Sequence, residues 1–226
     1  ELAKSHLVDI GGTGGDGQQT FNISTTSAFV VAAAGGKVAK HGTRSISSRC
    51  GSADLLEQAG VNLSLSPIQV QTCVETLGIG FLFAPNYHPA LKNSHSARTE
   101  LGIRSIFNIL APLLNPANAP HLLLGVYDKS LCLALAKVCH KLGCRHVLVV
   151  HAEDGLDEIS IGAPTFVAEL NRGDIHTYTI KPEEFGIPRS GLEAITVSNS
   201  IESFELFNAV LEDQASPARD IVILNA

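Results

Sequence analysis

Val8-Asp9-Ile10-Gly11-Gly12-Thr13-Gly14-Gly15-Asp16-Gly17 carries a short apolar run straight into a loop in which glycine fills five of seven positions. The stretch Ser24 to Ala34 that follows is apolar and alanine-rich, opens on Ser/Thr and closes on Gly35-Gly36, which are helix start and stop signals. Strand, glycine loop and helix in that order form the opening unit of a layered α/β fold. The alternation continues along the chain. Val38-Ala39-Lys40, Phe81-Leu82-Phe83, Leu122-Leu123-Leu124, Val147 to Val150 and Ile221 to Leu224 are predicted strands, since continuous apolar character is what burial on both faces requires. Ser130 to Leu142 and Ile201 to Leu211 are predicted helices, and Asp174 to Ile180 alternates polar and apolar residues like an edge or antiparallel strand. No internal repeat or low-complexity linker interrupts the pattern. The expectation is a single α/β domain over 1–226, with a mostly parallel central sheet flanked by helices.

Composition agrees. Of 226 residues 45 % are hydrophobic and 17 % charged, which excludes disordered, collagen-like and coiled-coil classes. With 5 % aromatics and no tryptophan, the core must come from Ala, Val, Ile and Leu. Sixteen basic against 22 acidic residues, a formal charge of −6, argue against nucleic-acid binding, which needs a dense positive footprint. The five cysteines contain no Cys-x-x-Cys pair and read as reduced, mostly buried residues of a cytoplasmic protein. No apolar run approaches the ~18 residues of a membrane span. The chain has no methionine and begins at Glu1, so the expectation is a piece of a longer protein, truncated at both ends.

Four segments carry chemistry. The glycine loop lets backbone N–H groups converge on an anion with no Cβ in the way, although alone it fits an ordinary turn equally well. Thr20-Phe21-Asn22-Ile23-Ser24-Thr25 adds hydroxyls and an amide at a helix N-terminus, where unpaired N–H groups favour phosphate; plain N-capping is compatible with this. Lys40 to Ser52 leaves a strand end with a lysine, a histidine, two arginines and four serines, a composition suited to a polyanion. Glu153-Asp154-Gly155-Leu156-Asp157-Glu158 places carboxylates after a strand, where Mg²⁺ bound partly through substrate phosphates becomes a better explanation than a solvated turn.

Gly12-Thr13-Gly14-Gly15-Asp16-Gly17, Asn22-Ile23-Ser24-Thr25, Lys40-His41-Gly42-x-Arg44, Gly51-Ser52-Ala53-Asp54, Leu101 to Asn108 and Gly155-Leu156-Asp157-Glu158-Ile159-Ser160 together resemble the anthranilate phosphoribosyltransferases of the tryptophan pathway, in order along the whole chain. The resemblance implies the α/β catalytic domain of the nucleoside phosphorylase/phosphoribosyltransferase type, lacking most of a small helical domain. It implies transfer of phosphoribose from 5-phosphoribosyl 1-pyrophosphate to anthranilate with Mg²⁺. It assigns the donor to Gly12, Gly15, Asp16, Thr20, Asn22, Ile23, Ser24, Thr25, Lys40 and Ser52, the acceptor to Gly12, His41 and Arg98, and the metal to Ser24, Asp157 and Glu158. It also implies a family homodimer, expected to be lost or weakened here. Thr43 stands where the family has asparagine, so a different acceptor is an alternative, as are an inactive fragment and a non-catalytic nucleic-acid-binding relative.

Overall fold

The computed structural model describes residues 6–45, 50–89 and 106–226. The strands among these residues are β1 (Leu7–Gly12), β2 (Lys37–Gly42), β3 (Ile79–Phe83), β4 (His121–Gly125), β5 (His146–Ala152), β6 (Thr165–Asn171) and β7 (Asp174–Ile180). The described helices are α1 (Ile23–Ala33), α2 (Ser52–Gln58), α3 (Pro67–Leu77), α4 (Ala84–Tyr87), α5 (Ile106–Leu110), α6 (Ser130–Lys141), α7 (Ser200–Leu211) and α8 (Pro217–Asn225). The sheet order is β3-β2-β1-β4-β5-β6-β7. β3 through β5 in that order are mutually parallel, while β6 and β7 add two antiparallel strands at one edge.

From β1 the chain winds outward through β2 and β3, then returns to β1's other side for β4 and β5. β1 and β4 therefore flank the topological switch point, and the crevice at their carboxyl ends is where such sheets bind ligands. Gly12 and Gly125 end those two strands in register.

Alternation in the central strands feeds two faces. Leu122, Leu124, Val147 and Val149 pack against Cys132, Leu135, Ala136 and Cys139 of α6. Ile10, Leu123, Val150 and Val167 face the other way, with Val31 of α1 and Leu224 of α8. Continuous apolar runs in β4 and β5 thus reflect burial on both faces.

One expectation fails. Ile221 to Leu224 is not a strand but the middle of α8. Ser216 caps that helix by accepting from the Arg219 N–H at 3.2 Å, Pro217 occupies its first turn, and Ala218, Ile221, Val222 and Asn225 are its buried positions. That i, i+3, i+4, i+7 spacing is helical; a four-residue apolar run is too short to reveal it. β6 is an addition, visible only once its antiparallel pairing with β5 is made.

Candidate active site

Between β5 and β6 the chain makes one long turn over the carboxyl ends of β1 and β4, and this turn carries Asp154, Asp157 and Glu158. It can lie there because both strands end in glycine. A Cβ on Gly125 would run into the Asp157 backbone, and one on Gly12 would sit 2.8 Å from Asp157 Oδ2. The glycine loop after β1 turns through left-handed backbone at Gly14 (φ 62°) and Gly15 (φ 78°), a conformation that suits glycine. The Gly14 N–H donates to Asp157 Oδ2 at 2.8 Å. An acid from the β5–β6 turn sits where a loop of this kind would grip an anion. Asp16 ties the two segments from the other side, accepting from Gln18 N–H at 3.2 Å and Asp157 N–H at 3.4 Å. Gln18 in turn donates to the Asp154 carbonyl at 2.8 Å.

Beneath the loop lies Lys40, 3 % exposed, with its ammonium donating to the Ile10 carbonyl at 2.6 Å and the Ser24 hydroxyl at 3.3 Å. It faces two buried carboxylates, Asp9 and Glu158. Burial raises the Asp9 carboxyl, against the pull of Lys40 and of hydrogen bonds from Asn115 Nδ2 at 2.6 Å and His41 N–H at 3.2 Å. Glu158 is pushed up to about 7, first by burial and then by Asp16, while Lys40 and the Ser24 N–H and hydroxyl oppose the rise. Desolvation, with Asp16 and Glu158 alongside, holds the Asp157 carboxyl well above the usual range. Carboxylates outnumber cations here, so the site is short of positive charge.

The fit to a divalent cation follows from one atom. Glu158 Oε2 is buried without a hydrogen-bond partner, a state that is costly unless something binds it. Among the described residues no three His, Cys, Asp or Glu side chains form a protein cage for a metal. A hard cation sharing few carboxylates with a ligand's oxygens suits such a site.

The remaining predicted residues divide. Thr20 forms an isolated antiparallel bridge with Thr196 at the rim. Asn22 spends its amide on structure, donating to the Cys50 carbonyl at 3.1 Å and accepting from the Ser203 hydroxyl at 2.9 Å. The Ile23 side chain points into the apolar core, leaving only its backbone for ligand contact. Thr25 is buried and its hydroxyl has no partner. Ser52, in the first turn of α2, donates to the Thr43 carbonyl at 3.4 Å. Arg98 lies outside the described residues.

His41, at the end of β2, meets a residue the sequence did not single out. Its Nε2 is 3.2 Å from Nε2 of His88, and the rings meet edge to face. Burial, with His88 and Lys40 nearby, pushes His41 down to about 4, so the ring is neutral at pH 7. An unfolded histidine titrates at about 6.5. Below that pH the unfolded chain takes up a proton that the folded one refuses, so stability present above 6.5 is lost as pH falls toward 4. At pH 5 the loss from this residue is about 2 kcal/mol. Urea midpoints at pH 7 and pH 5 check this: His41→Gln should lose less stability than the parent, and parallel losses would refute it.

Asp9 and Asn115 were also missed. A lone acid inside an apolar strand was the available signal; Asn115, which donates to both Asp9 and the Ala39 carbonyl at 2.7 Å, offered none.

Residues 4–226 match the model of the glycosyl transferase family, a/b domain. The anthranilate phosphoribosyltransferase of Thioalkalivibrio sulfidiphilus is 58 % identical over 226 residues, covering 100 % of this chain and 67 % of the relative. The chain belongs to the anthranilate phosphoribosyltransferase family. The family enzyme of Methylococcus capsulatus is likewise 58 % identical, over 225 residues, with 66 % of its length covered. Among solved structures, anthranilate phosphoribosyltransferase from Thermus thermophilus superposes with a TM-score of 0.90 at 44 % identity, covering 98 % of this chain and 66 % of that one. The Saccharomyces cerevisiae enzyme, solved in complex with PRPP and Mg, gives 0.87 at 30 % identity, covering 97 % and 62 %. The chain thus spans about two thirds of the length of these anthranilate phosphoribosyltransferases. No helix among its described residues is long and apolar enough to cross a membrane.

Proposed function

We propose that this chain carries the donor site and bond-breaking machinery for transfer of phosphoribose from 5-phosphoribosyl 1-pyrophosphate to anthranilate, with release of pyrophosphate. The observation that carries the reading is the meeting, at the switch point, of a glycine loop with a carboxylate pair one of whose buried oxygens is unsatisfied. The Saccharomyces relative binds PRPP and Mg, and in another structure 4-fluoroanthranilate.

In this reading Gly12, Gly15, Asp16, Thr20 and Asn22 to Thr25 hold the donor from the loop and helix side and Ser52 from α2. Ile23 takes part through its backbone alone. Lys40 acts from below, donating to the Ser24 hydroxyl and opposing the charge of Glu158. Ser24, Asp157 and Glu158 would hold Mg²⁺, which when bound neutralises charge building on the departing pyrophosphate oxygens. Asp157 must release Gly14 N–H when a phosphate claims it. Gly12, His41 and Arg98 serve the acceptor. As a neutral ring His41 can accept a hydrogen bond from the aromatic amine, and positioning outweighs proton abstraction because a base titrating near 4 is weak.

Calorimetric titration with 5-phosphoribosyl 1-pyrophosphate should give saturable binding in Mg²⁺ that is lost in chelator. Absence of binding under both conditions would overturn the proposal. Loss of anthranilate fluorescence with donor and Mg²⁺ reads the transfer itself. Thr43 marks a second reading, a different aromatic amine as acceptor, which a panel of amines with the same donor separates.

A further inference from the structure

Outside this site the chain places two cysteines at the two ends of one helix-closing turn. α6 closes in a turn whose Gly143 is left-handed at φ 86°, with Gly143 N–H donating to the His140 carbonyl and Cys144 N–H donating to the Cys139 carbonyl, both at 3.0 Å. This pair of hydrogen bonds defines the Schellman motif, which commonly brings the side chains at those last two positions into apolar contact. Here both are cysteine. Cys139 is fully buried, Cys144 is partly exposed, and both belong to one apolar cluster, Cys144 packing against the part that holds Cys139. The bond from the Cys144 N–H to the Cys139 carbonyl keeps the two backbones close, as a disulfide's Cα span of roughly 4.4–6.8 Å demands.

Cys144 also opens on a cavity of about 130 Å³, lined among others by Asp9, Leu113, Asn115, Leu122 and Gly143. A water occupies about 30 Å³ of liquid, so a small peroxide fits beside solvent. The cavity borders Asp9, the acid that holds Asn115 and the His41 backbone.

We propose that Cys144 and Cys139 form a peroxide-reactive dithiol, a modification site in which Cys144 is the attacking sulfur and Cys139 the resolving one. The Cys144 sulfur attacks one peroxide oxygen and the O–O bond breaks. Sulfur is oxidised to the sulfenic acid, and the other oxygen leaves with the thiol proton as water. The Cys139 sulfur then attacks the sulfenic sulfur, the S–O bond breaks, and a second water leaves with the Cys139 proton. Two thiols and one peroxide give one disulfide and two waters.

The order of attack follows from the environments. The neighbouring Cys139 draws the Cys144 thiol down to about 7, whereas Cys144 and burial hold Cys139 protonated. Burial pushes Cys50 and Cys132 up to about 11, so they are poor competitors. Cys73, half-buried on α3, supplies the comparison for exposure.

Trypsin separates the pair, cutting after Lys137, Lys141 and Arg145 into Val138–Lys141 and Leu142–Arg145. After hydrogen peroxide and alkylation of remaining thiols, mass spectrometry should find these two peptides joined by a disulfide. Cys144 should also be consumed at least about tenfold faster than Cys73. In Cys139→Ser, dimedone should instead trap a sulfenic acid on Cys144. Unlinked peptides, or Cys144 consumed no faster than Cys73, would overturn the proposal, and that reading uses the parent protein whether or not the variant folds.

Discussion

Lys40→Met should destabilise the protein by about 3–5 kcal/mol, the usual cost of removing one partner from a buried ion cluster. The ammonium is the cation shared by two carboxylates at 4 % and 7 % exposure, Asp9 and Glu158. Methionine matches its volume and loses only its charge and donors. Asp9 would keep Asn115 and the His41 N–H, whereas Glu158 would keep only Ser24, and both would resist ionising. Adding Asp9→Asn to Lys40→Met should restore part of the loss, because one stranded charge is gone. Urea denaturation measures both. A loss under 1 kcal/mol for the single variant would mean that the carboxylates are already protonated and Lys40 is a spectator. Lys40→Arg is not a mild control, since a planar guanidinium cannot occupy the same buried space.

Glu158→Gln should move stability and binding in opposite directions. The folded carboxyl titrates near 7 and the unfolded one near 4.5. For a raised carboxyl, the stability it contributes is complete below the unfolded value and is lost as pH rises through the folded value. In chelator at pH 8 the parent carries that penalty and the glutamine variant does not, so the variant should unfold later by about 3 kcal/mol. At pH 4 the difference should vanish. Mg²⁺-dependent donor affinity should fall at least about tenfold in the same protein, as expected when a metal-site group is removed. A merely structural glutamate would lower stability and leave the Mg²⁺ dependence intact, and that result would remove Glu158 from the proposed metal set.

Much of this was readable in the chain because the signals are local. A glycine run has one backbone meaning wherever it occurs, and apolar runs bounded by turn residues placed β1 to β5 and the helices α1, α6 and α7. Asp174 to Ile180 declared itself by alternation. Ile221 to Leu224 did not, because four apolar residues satisfy either period, and only the Ser216 cap with buried positions three and four apart reveals α8. β6 was equally mute: Thr165-Phe166-Val167-Ala168-Glu169-Leu170-Asn171 mixes both propensities, and pairing with β5 decides it.

The sequence by itself determined the layered α/β class, the glycine loop, and the acids Asp157 and Glu158, since these depend on residue type and near neighbours. Only the tertiary structure decided how they meet. It laid Asp157 on the N–H of Gly14, 143 positions away, and set Lys40 beneath both segments. It also used Asn225 of α8 to clamp Ile159, accepting from its N–H at 2.9 Å and donating to its carbonyl at 2.8 Å, which fixes the backbone beside Glu158. Each of these contacts joins residues far apart in the chain, and their cost in ordering and desolvation is met only when the whole sheet has assembled around the switch point.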